Sequence, residues 1–195
     1  MIQERLKGSR LILASGSPRR HEFFRQLGLD FEVRVKPVEE VFPESLKGPE
    51  IPVYLAKLKA EALRQQLTSD EILITSDTIV WHENTCLGKP VDAKDAADML
   101  TRLSGSWHEV ISAICITTRT MQETVYHSTE VHFMDLSVSE IDHYIKTYKP
   151  YDKAGAYGIQ EWIGLIGIDE IRGSYFNVMG MPTHLLYKTL MKVAV

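Results

Sequence analysis

Apolar and polar positions follow two periods along this chain, and the switches between those periods mark out its elements. LILAS (11–15) is a short apolar run of the kind that forms a buried strand. PRRHEFFRQLG (18–28) follows with Phe23, Phe24 and Leu27 on one helical face and Gly28 as its stop. FEVRVKP (31–37) alternates as a strand does, and PEIPVYLAKLKAEALRQQL (49–67) carries a helical stripe of Ile51, Tyr54, Leu55, Leu58 and Ala62. EILITSDTIVW (71–81) predicts a buried strand leaving through Ser76, Asp77 and Thr78. DAKDAADMLTRLSG (92–105) predicts a helix capped by Asp92 and ended by Gly105.

WHEVISAICITT (107–118) and ETVYHSTEVHF (123–133) read as an antiparallel pair of strands. SVSEIDHYIKTY (137–148) reads as a helix opened by a Ser-x-x-Glu box at Ser137. Glycine, tyrosine and isoleucine crowd residues 151–180, which predicts tight turns and short strands before a last helix from Pro182. Strands alternating with helices give an α/β sheet. No repeat, low-complexity tract or linker divides the 195 residues, so a single domain over 1–195 is expected.

Composition narrows the partners. A net charge of −4 disfavours nucleic acid and anionic membrane, so any anion site must be focal. No apolar stretch approaches the roughly 20 residues of a membrane helix. MIQERLKGSR lacks the apolar segment of a secretion signal, and a cytoplasmic protein is expected. Cys86 and Cys115 read as reduced thiols, and the seven histidines show neither HExxH nor Cys-His zinc spacing. His108 reads as a strand or turn residue.

SGSPRR (15–20) is where charge and pattern disagree. Ser17 suits a helix cap and Pro18 the first helical position, but Arg19 and Arg20 put two cations at the positive end of the helix dipole. A bound anion would remove that conflict, because backbone N–H groups and guanidinium forks both suit phosphate oxygens. GxxxxGK[ST] is missing, which disfavours a P-loop nucleotidase. Asp77 at a strand end either caps a turn or faces phosphates, where it would hold Mg²⁺ or activate water, with Thr78 orienting the same ligand. Lys89 in LGKP is a solvated turn lysine or a phosphate contact, and the spacing of Lys59 predicts a side chain reaching to water. Gln160, ending AGAYGIQ, is a buried amide or a reader of a nucleobase edge.

LILASGSPRR, SDTIVW, LGKP, MLTRLSGSWHEVISA, DKAGAYGIQ and GSYFNVMGMP, in this order, resemble the Maf family of septum-formation-inhibitor-like nucleoside triphosphate pyrophosphatases. The resemblance covers nearly the whole chain. It implies a mixed twisted sheet flanked by helices, Maf/ITPase-like, with a cleft between two lobes. It also implies a cytoplasmic enzyme that cleaves between the α and β phosphates with a divalent cation, Mg²⁺ or Mn²⁺. DKAGAYGIQ and GSYFNVMG look like the branch acting on dTTP and UTP rather than relatives preferring 7-methyl-GTP.

Position by position, the resemblance makes Asp77 the proton acceptor and Arg19, Thr78 and Gln160 the residues governing substrate choice. Ser15, Arg20, Lys59 and Lys89 match pocket positions, which sets Lys59 in a pocket rather than in water. Glu40 joins Asp77 as a candidate for the metal. Two departures sit near the expected pocket walls: Glu161 and Trp162 follow Gln160 where the family usually has glycine, and ISA stands for ITA after His108. A non-catalytic nucleotide-binding regulator of cell division and a pyrophosphatase of other base specificity, including one for modified nucleotides, remain alternatives. A homodimer is a reasonable assembly.

Overall fold

Phe23 and Phe24 of the predicted helical face are buried, and Leu27 is half-buried, in this computed structural model, which describes residues 2–193. The elements run α1 (Ile2–Arg5), β1 (Arg10–Leu13), α2 (Pro18–Gln26), β2 (Phe31–Val33), α3 (Glu50–Arg64), β3 (Glu71–His82), β4 (Thr85–Leu87) and α4 (Ala93–Leu103). They continue with β5 (Trp107–Thr117), β6 (Gln122–Phe133), α5 (Val138–Tyr148), α6 (Trp162–Gly167), β7 (Ile168–Arg172), α7 (Tyr175–Val178) and α8 (Thr183–Val193). Among the described residues seven strands form one sheet in the order β2-β1-β3-β5-β6-β7, with β4 beside β3. Its ladders are mixed: β1 pairs parallel with both β2 and β3, whereas β3 with β4 and β6 with β7 are antiparallel. No helix among the described residues is long and apolar enough to cross a membrane.

The chain folds into two compact units. The first comprises the chain up to Asp77, Ser112–His127 and the stretch from Gly180 on. Its core sets Ala56, Ala60, Leu63 and Leu67 against Ile12, Leu73, Ala113 and Cys115. The second comprises Thr78–Ile111 and Ser128–Met179. Its core packs Leu100 and Leu103 of α4 and Tyr144 and Ile145 of α5 with Val110, Phe133, Tyr157 and Ile159.

Local signals acted as read in several places. Asp92 accepts the Asp95 N–H at 2.8 Å, and Ser137 and Glu140 form the reciprocal capping box that opens α5. β5 and β6 are neighbours, and the turn between them is closed by the Thr118 N–H on the Met121 carbonyl at 2.9 Å. Cys86 and Cys115 are not joined in a disulfide.

Three readings need correction. The buried face of α3 is Ile51, Pro52, Leu55, Ala56, Ala60 and Leu63, not the stripe through Tyr54, Leu58 and Ala62, and Tyr54 is exposed. Small alanines allow that face to lie close to the sheet, so shape outweighs side-chain hydropathy in choosing it. The alternating run 31–37 gives only the three residues of β2, because it pairs with Leu11–Leu13 and β1 then ends. Ser17 occupies the N-cap of α2 without a side-chain cap bond.

α6 depends on Gly164, where a Cβ would lie 1.9 Å from the Ile159 carbonyl oxygen. That neighbour is backbone and cannot swing aside. Gly164→Ala is therefore expected to lower unfolding stability by about 3 kcal/mol. Gly88→Ala, where a Cβ meets nothing within 4 Å, is the control and should stay near wild type in the same denaturant titration.

Candidate active site

Asp77 owes its surroundings to the register between β3 and α3. Thr75 and Asp77 are two residues apart and project from the same face of the strand. Thr75 Oγ1 donates to the Ala56 carbonyl at 2.7 Å, which pins that helical turn over the strand. Lys59, three residues further along α3, then meets Asp77, with Nζ 2.6 Å from Oδ1. Glu40, from the segment between β2 and α3, brings Oε1 to 2.9 Å from the same nitrogen. The Lys59 side chain is 16% exposed and that of Asp77 9%, so the solvent-reaching Lys59 expected from spacing is corrected to a half-buried cation between two carboxylates.

Burial pushes the Asp77 carboxyl above the ordinary carboxylate range. Lys59 and the Arg20 charge oppose that rise, and the Glu40 charge adds to it. A carboxylate with a raised pKa, still tied to a cation, is suited to taking a proton from water.

The SGSPRR segment lies in the same unit. Ser15 is buried, and its hydroxyl accepts the Ser17 N–H at 3.3 Å. Arg20 spans distant backbone: Nε donates to the Gly180 carbonyl at 3.0 Å and Nη1 to the Ser76 carbonyl at 2.9 Å and to Ser15 Oγ at 3.4 Å. Burial draws its pKa down from the usual arginine value, with the Asp77 charge opposing. Part of the conflict with the helix dipole is thus answered inside the protein, by carbonyl acceptors at the residue before Asp77 and just ahead of α8. Arg19 is half-buried in the first turn of α2. His21, which the sequence did not single out, places Nε2 2.6 Å from the Ser15 carbonyl oxygen.

Thr78, Lys89 and Gln160 belong to the second unit. Thr78 is half-buried on β3, and Lys89 and Gln160 are exposed on loops. Those two loops are tied together by the Gly155 N–H donating to the Gly88 carbonyl at 3.0 Å. Gly155 has φ +67°, and a Cβ there would fall 2.7 Å from Val80, so this crossing requires glycine. Tyr157 anchors the turn from within: its hydroxyl lies 2.8 Å from His108 Nε2, and both rings pack on Phe133. Burial pushes His108 down to about 3, so it is a neutral core imidazole at physiological pH.

Four more polar residues surround the Gln160 turn. Tyr144 donates to Glu161 Oε2 and accepts the Gly158 N–H at 3.0 Å. Lys153 Nζ lies 3.1 Å from Glu161 Oε1 and 2.7 Å from Asp152 Oδ1. Glu161 was visible in the sequence as a departure from the family pattern and Lys153 as part of DKAGAYGIQ, but nothing local distinguished Tyr144 from an ordinary core residue.

Two carboxylate oxygens converging on one cationic centre are the hard donors that Mg²⁺ takes when phosphates supply its other ligands. No cluster of three or more His, Cys, Asp or Glu is gathered among the described residues. Glu40 and Asp77 supply oxygen donors of the kind such an ion takes, and in this structure the Lys59 ammonium lies between them.

The pattern of the Maf-like protein family matches residues 10–193. The chain is 53% identical over 190 residues to a Flavobacterium johnsoniae protein named dTTP/UTP pyrophosphatase, covering 97% of this chain and 98% of that one. It is 51% identical over 191 residues to a Phocaeicola vulgatus protein of the same name, covering 97% and 99%. Among solved structures, the Staphylococcus aureus Ham1 protein superposes with a TM-score of 0.56 at 15% identity, covering 95% of this chain and all of that one. A Ham1 protein from Coxiella burnetii gives 0.50 at 13% identity, covering 94% and 99%. These last two show the fold alone.

Proposed function

The chain belongs to the Maf family, and on that premise we propose that it hydrolyses dTTP and UTP to the nucleoside monophosphate and pyrophosphate. Relatives at about half identity over nearly their whole length carry that name. The observation that carries the reading is Asp77, a buried carboxylate of raised pKa held 2.6 Å from Lys59 in the middle of β3.

Asp77 accepts a proton from water as its oxygen attacks the α-phosphorus. The bond between that phosphorus and the oxygen bridging to the β-phosphate breaks, and pyrophosphate leaves with the electron pair. Arg19 and Arg20, with the backbone N–H groups of the SGSPRR turn, neutralise and orient the triphosphate. Lys59 and Lys89 add charge compensation, and Ser15 fixes the turn through its hydrogen bonds to Ser17 and Arg20. Glu40 and Asp77 would hold a divalent cation, Mg²⁺ or Mn²⁺, which supplies charge neutralisation at the phosphates. Thr78 and Gln160, with Arg19, select the nucleoside. The enzyme works in the cytoplasm and, as a homodimer, needs neither nucleic acid nor membrane.

The test is an assay of the purified protein with Mg²⁺ on dTTP, UTP, CTP, GTP and 7-methyl-GTP, with products identified. Monophosphate and pyrophosphate from dTTP and UTP are expected. Orthophosphate release, or turnover confined to purine nucleotides, would refute the proposal.

A further inference from the structure

Gln160 is the exposed end of a run buried from Gly155 to Ile159. If it reads the base, as proposed above, its amide faces a geometric problem. Rotation by half a turn about the last side-chain torsion exchanges the N–H₂ and C=O ends. Uracil and thymine present an N3–H donor beside a C4 carbonyl acceptor. Cytosine presents the reverse, an N3 lone pair beside a C4 amine. An amide free to flip serves both patterns and discriminates neither, so a neighbour must fix its polarity.

We infer that Glu161 is that neighbour, a positioning residue whose carboxylate sets which end of the Gln160 amide faces the nucleobase. The inference rests on the reading of Gln160 as a base contact. A Cβ on Gly158 would lie 2.8 Å from Gln160 Nε2 and 2.9 and 3.1 Å from Cδ and Oε2 of Glu161. Amide nitrogen and carboxylate thus converge over one bare Cα, where the negative charge attracts the N–H₂ end and repels the carbonyl end.

Glu161 is itself held on both sides. The buried Tyr144 donates to Oε2, and the buried Lys153 lies 3.1 Å from Oε1. Burial and the Glu161 charge both raise the Tyr144 pKa, so its hydroxyl stays a donor. The Glu161 N–H donates to the Gly158 carbonyl at 2.9 Å, which closes the turn beneath the pair. Gln160 and its orienting charge are therefore carried on one short, anchored loop.

UTP and CTP share their sugar and triphosphate, so the ratio of their kcat/KM values isolates the base edge. Glu161→Gln keeps the side-chain shape and removes the charge. It is expected to lower the UTP:CTP ratio roughly ten- to a hundredfold, through KM, while kcat with UTP falls far less. Glu161→Asp, which keeps the charge, should recover part of the ratio. In a Gln160→Ala background Glu161→Gln should change the ratio no further, because it acts through that amide.

A ratio that collapses in Gln160→Ala but not in Glu161→Gln would overturn the positioning role and leave the base contact standing. An equal effect of Glu161→Gln in both backgrounds would likewise overturn it. A ratio unmoved by Gln160→Ala would remove the base contact and this inference with it. A purely structural role would show instead as lower kcat with both nucleotides and a lower Tm.

Discussion

Asp77→Asn is expected to cut kcat for dTTP by about 10²–10⁴-fold while KM and equilibrium binding of the nucleotide change only a few-fold. The substitution keeps the shape of the side chain and removes its ability to accept a proton from water. Because burial raises the Asp77 pKa in the folded state, ionising it opposes folding as pH rises through that value. At pH 7 the asparagine variant should therefore lose less stability than Lys59→Met, because the cost of ionising a buried group is removed and Lys59 keeps Glu40 as a partner. In wild type, kcat/KM should decline on acidification through a midpoint above the ordinary aspartate value, as the base of the free enzyme takes up its proton. Less than a tenfold loss of kcat in the variant would place the activating base elsewhere, and a markedly lower Tm would make Asp77 mainly a structural partner of Lys59.

Lys59→Met should have a large, pH-dependent effect on stability. Methionine keeps much of the volume but leaves the Asp77 carboxylate buried without its cation, and Glu40 loses the same partner. Breaking one side of such a pair typically costs about 3 kcal/mol. The loss is expected in full at neutral pH and should shrink as pH falls, since a protonated Asp77 no longer needs a cation. The sign follows from the direction of the shift: without Lys59 the Asp77 pKa rises further, and the acid limb of the kcat/KM profile moves to higher pH. Denaturant titrations of both proteins from pH 4 to 8 measure this directly. A loss that stays constant across that range would mean that packing of the lysine stem, not its charge, is what matters.

Asp77, Lys59 and Glu40 also show where sequence reasoning stops. The end of an apolar strand marked Asp77 as a candidate, and spacing alone sent Lys59 toward water. The difference arises from the bond between Thr75 and the Ala56 carbonyl, which rotates α3 so that Lys59 turns over the strand. Hydropathy could not foresee that rotation, because the face that packs is set by small alanines. Arg20 is similar: its sequence neighbours pointed to an anion, yet one of its acceptors, Gly180, lies 160 residues away.

What the sequence determined by itself is what a few neighbouring residues can encode. The capping box of α5, the Asp92 cap and the long apolar strands β3 and β5 lie within the reach of one helical turn or one pleat, where propensity and hydrogen bonding act without distant help. The ordered set of motifs also carried the family. Tertiary structure decided the shortness of β2, the idle hydroxyl of Ser17 as a cap, the cation between Asp77 and Glu40, and the hold of Tyr144 and Lys153 on Glu161. Apart from Ser17, the deciding partner lies beyond one helical turn along the chain, and a buried polar group takes the partner that packing brings within bonding distance.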